Sequence, residues 1–266
     1  MKSDYSSALV RQHSDYFTDA IMNMYEGIII KEFHGMAYEL NNTNKRNFWD
    51  FDVNLAPVVT TNKDLYVVSS SVADSAVGAG MRSGTAEYMY IDASGDIKRA
   101  IQSFNMNGTA RASLGVSGIA ITNAEITSAG GTNNSGNITF EADMGGGSFT
   151  KLNVMPTTLG QTKLFIGFPQ TGENLVITDA TYSGSGQFIA FIDLTVVKIS
   201  NGVKKVVHQG VNDLANHSGK LHTAILVRGG IEYIIGEIRA HTAPPTTDNF
   251  FNLHATGTFK DLTFQI

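Results

Sequence analysis

The sequence contains no cysteine. That removes thiolate catalysis, disulfide staples and cysteine-ligated zinc together, and leaves the redox compartment open. Charge is scarce too: Asp, Glu, Lys and Arg make up 16% of 266 residues, with a net charge of −5, so nonspecific nucleic-acid binding is disfavoured. No uninterrupted apolar run approaches the roughly 18–20 residues of a helical membrane span. Near the N-terminus, Arg11, Asp15 and Asp19 stand where a signal peptide needs an apolar core. The expectation is a soluble, unexported, unanchored chain.

Known chemical signatures are missing as well. The seven histidines, His13, His34, His208, His217, His222, His241 and His254, form no H-x-H, H-E-x-x-H or His/carboxylate triad of recognised spacing. His217 and His222 are the nearest pair, and their offset crosses a turn. Gly78, Gly80 and Gly84 follow G-x-G-x-x-x-G rather than a dinucleotide fingerprint, and Thr85 to Asp92 carries the bulky residues of a strand where a phosphate site needs a helix. These glycines are expected to be turn or bulge residues tolerating positive φ. Ser117 sits in Gly115-Val116-Ser117-Gly118-Ile119, one position short of a nucleophile elbow, and reads as a turn or strand-end hydroxyl. Asp92-Ala93-Ser94-Gly95-Asp96 reads as a β-turn. Lys204 and Lys205 read as solvated hairpin lysines after Asn201-Gly202. No catalytic, metal or cofactor-binding residues are proposed, and the chain reads as no enzyme.

What is present is β-forming sequence. With 42% hydrophobic residues the chain can bury a sizeable core, and 27 glycines suit many turns. From Leu65 onward, short runs rich in β-branched and aromatic residues alternate with Gly, Asn, Asp and Ser clusters. Candidate strands are 65–70, 85–92, 97–104, 116–127, 137–143, 149–154, 163–168, 174–182, 187–199, 203–208, 220–228, 231–239 and 253–266. Strands so spaced point to a mainly β fold, an antiparallel β-sandwich or jelly roll, as one domain or two packed β domains.

The N-terminal segment reads differently. Leu9, Tyr16 or Phe17, Ala20 or Ile21 and Met24 recur at helical spacing, with Ser3 or Asp4 as N-cap and Gly27 as stop. Ile28-Ile29-Ile30 reads as a short strand, and Phe48-Trp49-Asp50-Phe51 as an aromatic anchor. The expected organisation is a helix and docking arm over 1–57, a first β part over 58–159, and a second β part or small domain over 160–266. Leu9, Phe17, Ile21, Met24, Phe48, Trp49 and Phe51 are the candidate partner-docking residues. Removing residues 1–57 is expected to leave the β body folded.

An aromatic-bearing arm, Tyr25-Glu26-Gly27-Ile28, Phe33-His34-Gly35, Phe48-Trp49-Asp50-Phe51 and Ala56-Pro57, precedes Leu65-Tyr66-Val67-Val68-Ser69-Ser70-Ser71, Gly78-Ala79-Gly80-Met81-Arg82 and Tyr90-Ile91-Asp92. Asn133-Asn134-Ser135-Gly136-Asn137-Ile138, Phe168-Pro169 and Pro245-Thr246-Thr247-Asp248 follow. In this overall order the chain resembles the virion structural proteins of tailed bacteriophages. The resemblance implies a noncatalytic β-sandwich component, foremost a capsid decoration or cement protein. The alternative is a tail, neck or baseplate component, including a receptor- or glycan-binding β module. It implies a homo-oligomer, with a trimer among the options, and other virion proteins as partners, the major capsid protein favoured. No specific nucleic acid or membrane is implied, and a host surface glycan enters only with the alternative. The location implied is the virion, assembled in the cytoplasm of a bacterial host.

Overall fold

Alternation of buried and exposed side chains shows why these segments form strands. In β3 (Lys63–Ser69), Leu65, Val67 and Ser69 are buried while their neighbours are at least partly exposed, the period of two that one covered face imposes. A computed structural model describes residues 28–38, 46–47, 55–185, 189–212, 218–221, 224–240 and 250–261. Every regular element among the described residues is a strand, and every pairing between strands is antiparallel. The mainly β, antiparallel expectation is met. The expected N-terminal helix lies outside the described residues.

Two sheets are built from β3, β4 (Met81–Ile91), β5 (Ile97–Asn105), β6 (Ala112–Gly118), β7 (Ala120–Ala129), β8 (Ile138–Gly145) and β9 (Ser148–Met155). One runs β6-β3-β8-β9 and the other β5-β4-β7. Their apolar faces share one core, with Leu65, Val67 and Phe140 from the first and Met81, Met89 and Ile121 from the second. Phe104 of β5 meets Phe140 of β8 edge-on at 5.5 Å between ring centroids. The segment expected as one strand over 116–127 is two, in different sheets. At this corner the Ile119 amide donates to the Met89 carbonyl, and a Cβ on Gly118 would stand 2.7 Å from that same oxygen, so only glycine lets the backbones come so close.

The other two sheets use β1 (Ile28–Tyr38), β2 (Arg46–Asn47), β10 (Ile166–Gly167), β11 (Glu173–Ser185), β12 (Ala190–Lys198), β13 (Lys204–Asn212), β14 (Ser218–Leu221), β15 (Ile225–Arg228), β16 (Glu232–Ala240) and β17 (Phe250–Asp261). One is ordered β1-β17-β11-β14, with β15 also on β11. Its partner is ordered β10-β16-β12-β13, with β2 also on β16. Phe33, Leu175, Ile177 and Leu253 face Phe165, Ile192, Leu194 and Ile234 in a second core.

Residues 28–38 therefore belong to the body. All 11 residues of β1 pair with β17, from Ile28 opposite Lys260 to Tyr38 opposite Phe250. Phe33 and Ala37 are buried, and the Phe33 ring lies 6.0 Å from Phe165 and 6.0 Å from Phe259. Deletion through residue 57 would strip this strand from its core, which corrects the expectation that the β body survives it. The N-terminal strands share sheets with residues 166–261, so the half formed by 63–155 is inserted between them.

The halves meet across β12 and β16. Val196 and Ile234 enter the second core, while Val197, Tyr233 and Ile235 enter the first. This is why Ala190–Lys198 is buried almost throughout: both faces of its sheet are covered. Charged ties reinforce the junction. Lys31 of β1 reaches Glu87 of β4 at 2.6 Å, and Arg99 of β5 reaches Glu173 of β11 at 2.8 Å while lying 4.5 Å over the Phe259 ring.

Candidate functional site

The outer face of the β1-β17-β11-β14 sheet carries a polar row set by strand register. Phe33 and Ala37 point into the core, so Glu32 and His34 point outward, as do Asn252, His254 and Thr256 of β17. On β11 a register shift between Ile177 and Asp179 changes which residues face out, bringing Asp179, Thr181 and Ser183 to the outer surface. His34, His254, Thr181 and Lys220 then stand side by side on four neighbouring strands. The His34 and His254 rings lie 4.6 Å apart. Glu32 Oε2 is 3.4 Å from His34 Nε2 and 3.8 Å from His254 Nε2. Lys220 Nζ approaches Asp179 Oδ2 at 3.2 Å.

Burial, the neighbouring His254 and Lys163 together outweigh Glu32 and hold the His34 pKa below its ordinary value, which favours a neutral imidazole. Beside His254 a groove of about 440 Å³ is lined by Thr181, Ser183, Ser218, Lys220 and Asn252. Tyr182 also borders it, but its ring is buried and its hydroxyl donates to the Val211 carbonyl at 2.8 Å. On the other side of His34, a cleft of about 170 Å³ separates β1 from Thr122, Gln161 and Lys163.

A second constellation occupies the glycine-rich loop. Asp74 is fully buried, and its carboxylate accepts from Ser69 Oγ at 2.6 Å and from the amides of Met81, Ser135 and Gly136 at 2.8, 2.8 and 2.9 Å. The loop does cradle an anion with backbone N–H groups, and the anion is the chain's own carboxylate. Gly78, Gly80 and Gly84 do not have positive φ, contrary to expectation; what each serves is close approach. A Cβ would strike the Ala73 carbonyl at Gly78, would crowd the Asp74 carboxylate at Gly80, and would stand 2.5 Å from the Glu125 carbonyl at Gly84. Gly84 does flank a bulge in the β4–β7 pairing. The loop so held presents Val72 and Val77 at 75% and 89% exposure.

Other sequence candidates fall out individually. Ser117 Oγ donates to Asp64 Oδ1 at 2.5 Å, a cross-strand contact. Asp92 Oδ1 accepts from the Ser94 and Asp96 amides, with Gly95 at φ 86°, the turn that was expected. Lys204 is more than a solvated lysine: its Nζ lies 2.7 Å from Oε1 of the buried Glu237, whose Oε2 accepts from Thr195 Oγ1 at 2.7 Å. Leu9, Phe17, Ile21, Met24, Phe48, Trp49 and Phe51 lie outside the described residues, as do His217 and His222. The Glu32, His34 and His254 grouping escapes sequence reading because its members are joined by strand pairing across most of the chain.

The sequence matches no protein-family model and no curated protein. Among solved structures, the infectious bursal disease virus VP2 subviral particle is 10% identical, with 88% of this chain and 72% of that one covered at a TM-score of 0.25. The infectious bursal disease virus Gt strain is 10% identical, with 92% and 77% covered at 0.23. Murine APRIL is 12% identical, with 44% and 85% covered at 0.21. At these TM-scores the overlaps define no shared fold.

Proposed function

We propose that the chain is a noncatalytic structural protein of a tailed-phage virion, acting as a capsid decoration or cement protein that binds neighbouring shell subunits. The observation that carries this reading is the Asp74-pinned loop. Two valines are held out in water on a backbone whose hydrogen bonds are made internally, and a rigid apolar projection of this kind loses little entropy when a partner covers it. Small contacts of this sort sum to large stabilisation when many copies are arrayed on a shell. The facing sheets around each core support the sandwich reading of the fold, and the low charge suits surfaces covered in an assembly. The homo-oligomer, the trimer option and docking through the N-terminal segment remain parts of this proposal.

The tail-borne glycan-binding alternative has one feature in its favour, the groove lined by Thr181, Ser183, Ser218, Lys220 and Asn252. Its hydroxyl, amide and ammonium groups suit sugar hydroxyls. The buried Tyr182 ring is not free to stack on a sugar face. Quantitative mass spectrometry of purified particles separates the readings, because closed symmetry fixes subunit numbers. Copies on the order of hundreds support the shell and about a dozen or fewer the neck or tail; absence from particles overturns both. A Val72→Asp/Val77→Asp variant should fold and fail to incorporate under the shell reading.

A further inference from the structure

We propose that Glu32, His34 and His254 form a binding site for a divalent transition-metal ion of the zinc type, which clips β1 to β17. The donors come from rigid backbone. Glu32 and His34 are two residues apart on one strand and so share a face, and His34 is directly opposite His254. All three ligand atoms lie within 4.8 Å of one another. Zinc bonds of about 2.0–2.1 Å at tetrahedral angles require ligand atoms roughly 3.3–3.5 Å apart. Glu32 Oε2 already stands 3.4 and 3.8 Å from the two Nε2 atoms, so small side-chain rotations complete the geometry. The outward face leaves the fourth position to water.

The donor chemistry selects the metal. Two imidazoles and one carboxylate suit zinc, cobalt or nickel, whereas calcium and magnesium call for all-oxygen sets. Lys163 lines the cleft beside Glu32 and His34, and its positive charge opposes a cation there, which fits a moderate rather than a tight affinity.

The position gives the ion its role. Among the described residues β1 stands at the end of its sheet with β17 as its ladder partner, so this ladder joins the first described strand to the last. His34 and His254 are 254 − 34 = 220 residues apart, and a clip across so long a loop restrains the unfolded chain most. A chain without cysteine has no disulfide to do this. The inference stands apart from the assembly role and fails or succeeds separately.

The test uses the full chain stripped with EDTA. Calorimetric titration with Zn²⁺ should show one equivalent binding with Kd on the order of micromolar, and Mg²⁺ should show none. Co²⁺ should give the visible bands of a tetrahedral site. His34→Ala and His254→Ala should each weaken Zn²⁺ binding about tenfold or more, while His217→Ala/His222→Ala binds as the parent does. Zn²⁺ at a hundredfold excess over Kd should raise Tm by about 5 °C and slow amide exchange in β1. Metal-free Tm values of the variants report folding, and His34→Gln repeats the test with a smaller change of shape. Absence of Zn²⁺ binding overturns the proposal. So does binding unchanged in His34→Ala/His254→Ala, or binding lost with His217 and His222.

Discussion

A single buried carboxylate, Asp74, organises the loop between β3 and β4. Removing the Asp74 side chain leaves the amides of Met81, Ser135 and Gly136 without the acceptor they share, and buried unsatisfied donors cost about 1–3 kcal/mol each before relaxation. Asp74→Ala is therefore expected to lower stability by about 3–5 kcal/mol, the range seen when one partner of a buried charged network is removed, read as a drop in the urea midpoint at unchanged slope. Glu87 is the second residue-scale case. Burial pushes its pKa up, but Lys31, Thr122 and Arg99 together bring it below the ordinary 4.5. Between the folded value and 4.5 the unfolded chain binds more protons, so Glu87 contributes stability above pH 4.5 that is lost as pH falls through its folded value. Glu87→Gln should flatten that acid limb of stability against pH and leave the neutral-to-alkaline slope unchanged. Neither network was legible in sequence. Asp74 gathers partners from residues 69, 81, 135 and 136, and Lys31 finds Glu87 only because two sheets are packed together.

Strands were the legible scale. The pattern of Leu65, Val67 and Ser69 is written in one short window, as are the turn at Asp92 and the hairpin at Asn201-Gly202, because local backbone preferences decide them. Corners and edges were not. Gly118-Ile119 turns the chain from one sheet into another, and no local signal distinguishes that corner from a continuing strand. The register shift at Ile177 and Asp179 decides which β11 side chains join the polar row, and sequence alternation alone reads straight through it. For β1, the apolar Ile28-Ile29-Ile30 run announced a strand but not its partner, Lys260 back to Thr258 at the far end of the chain. Phe33 tests that partnership. Phe33→Ala should cost about 3–5 kcal/mol, the usual loss for a buried aromatic side chain. In the same denaturation assay, deletion of residues 1–57 should give a chain with no cooperative transition, whereas deletion of residues 1–27 preserves β1 and should keep one.

At the scale of the whole molecule, the two cores are not independent. Val196 and Val197 are consecutive residues that serve different cores, and so are Ile234 and Ile235. The sheet carrying them cannot melt without exposing apolar surface in both halves. Arg99 adds a tie from β5 to Glu173 and Phe259, and the Thr171 amide donates to the Ile97 carbonyl across the same junction. Insertion of 63–155 between β2 and β10 also means that the other half is not one continuous stretch of chain. The return of β1 and β2 to the later half was not visible in the sequence, since long-range pairing leaves no mark in a local window. Such coupling predicts one cooperative unit. Under native conditions, the slowest amides of β4 and β8 in one half and of β12 and β17 in the other should exchange with the same opening free energy and the same urea dependence. Arg99→Ala should lower both sets together. Two sets separating by more than about 1 kcal/mol would show that the halves open as separate foldons, and the sheet between the cores would then be a contact surface rather than a shared wall.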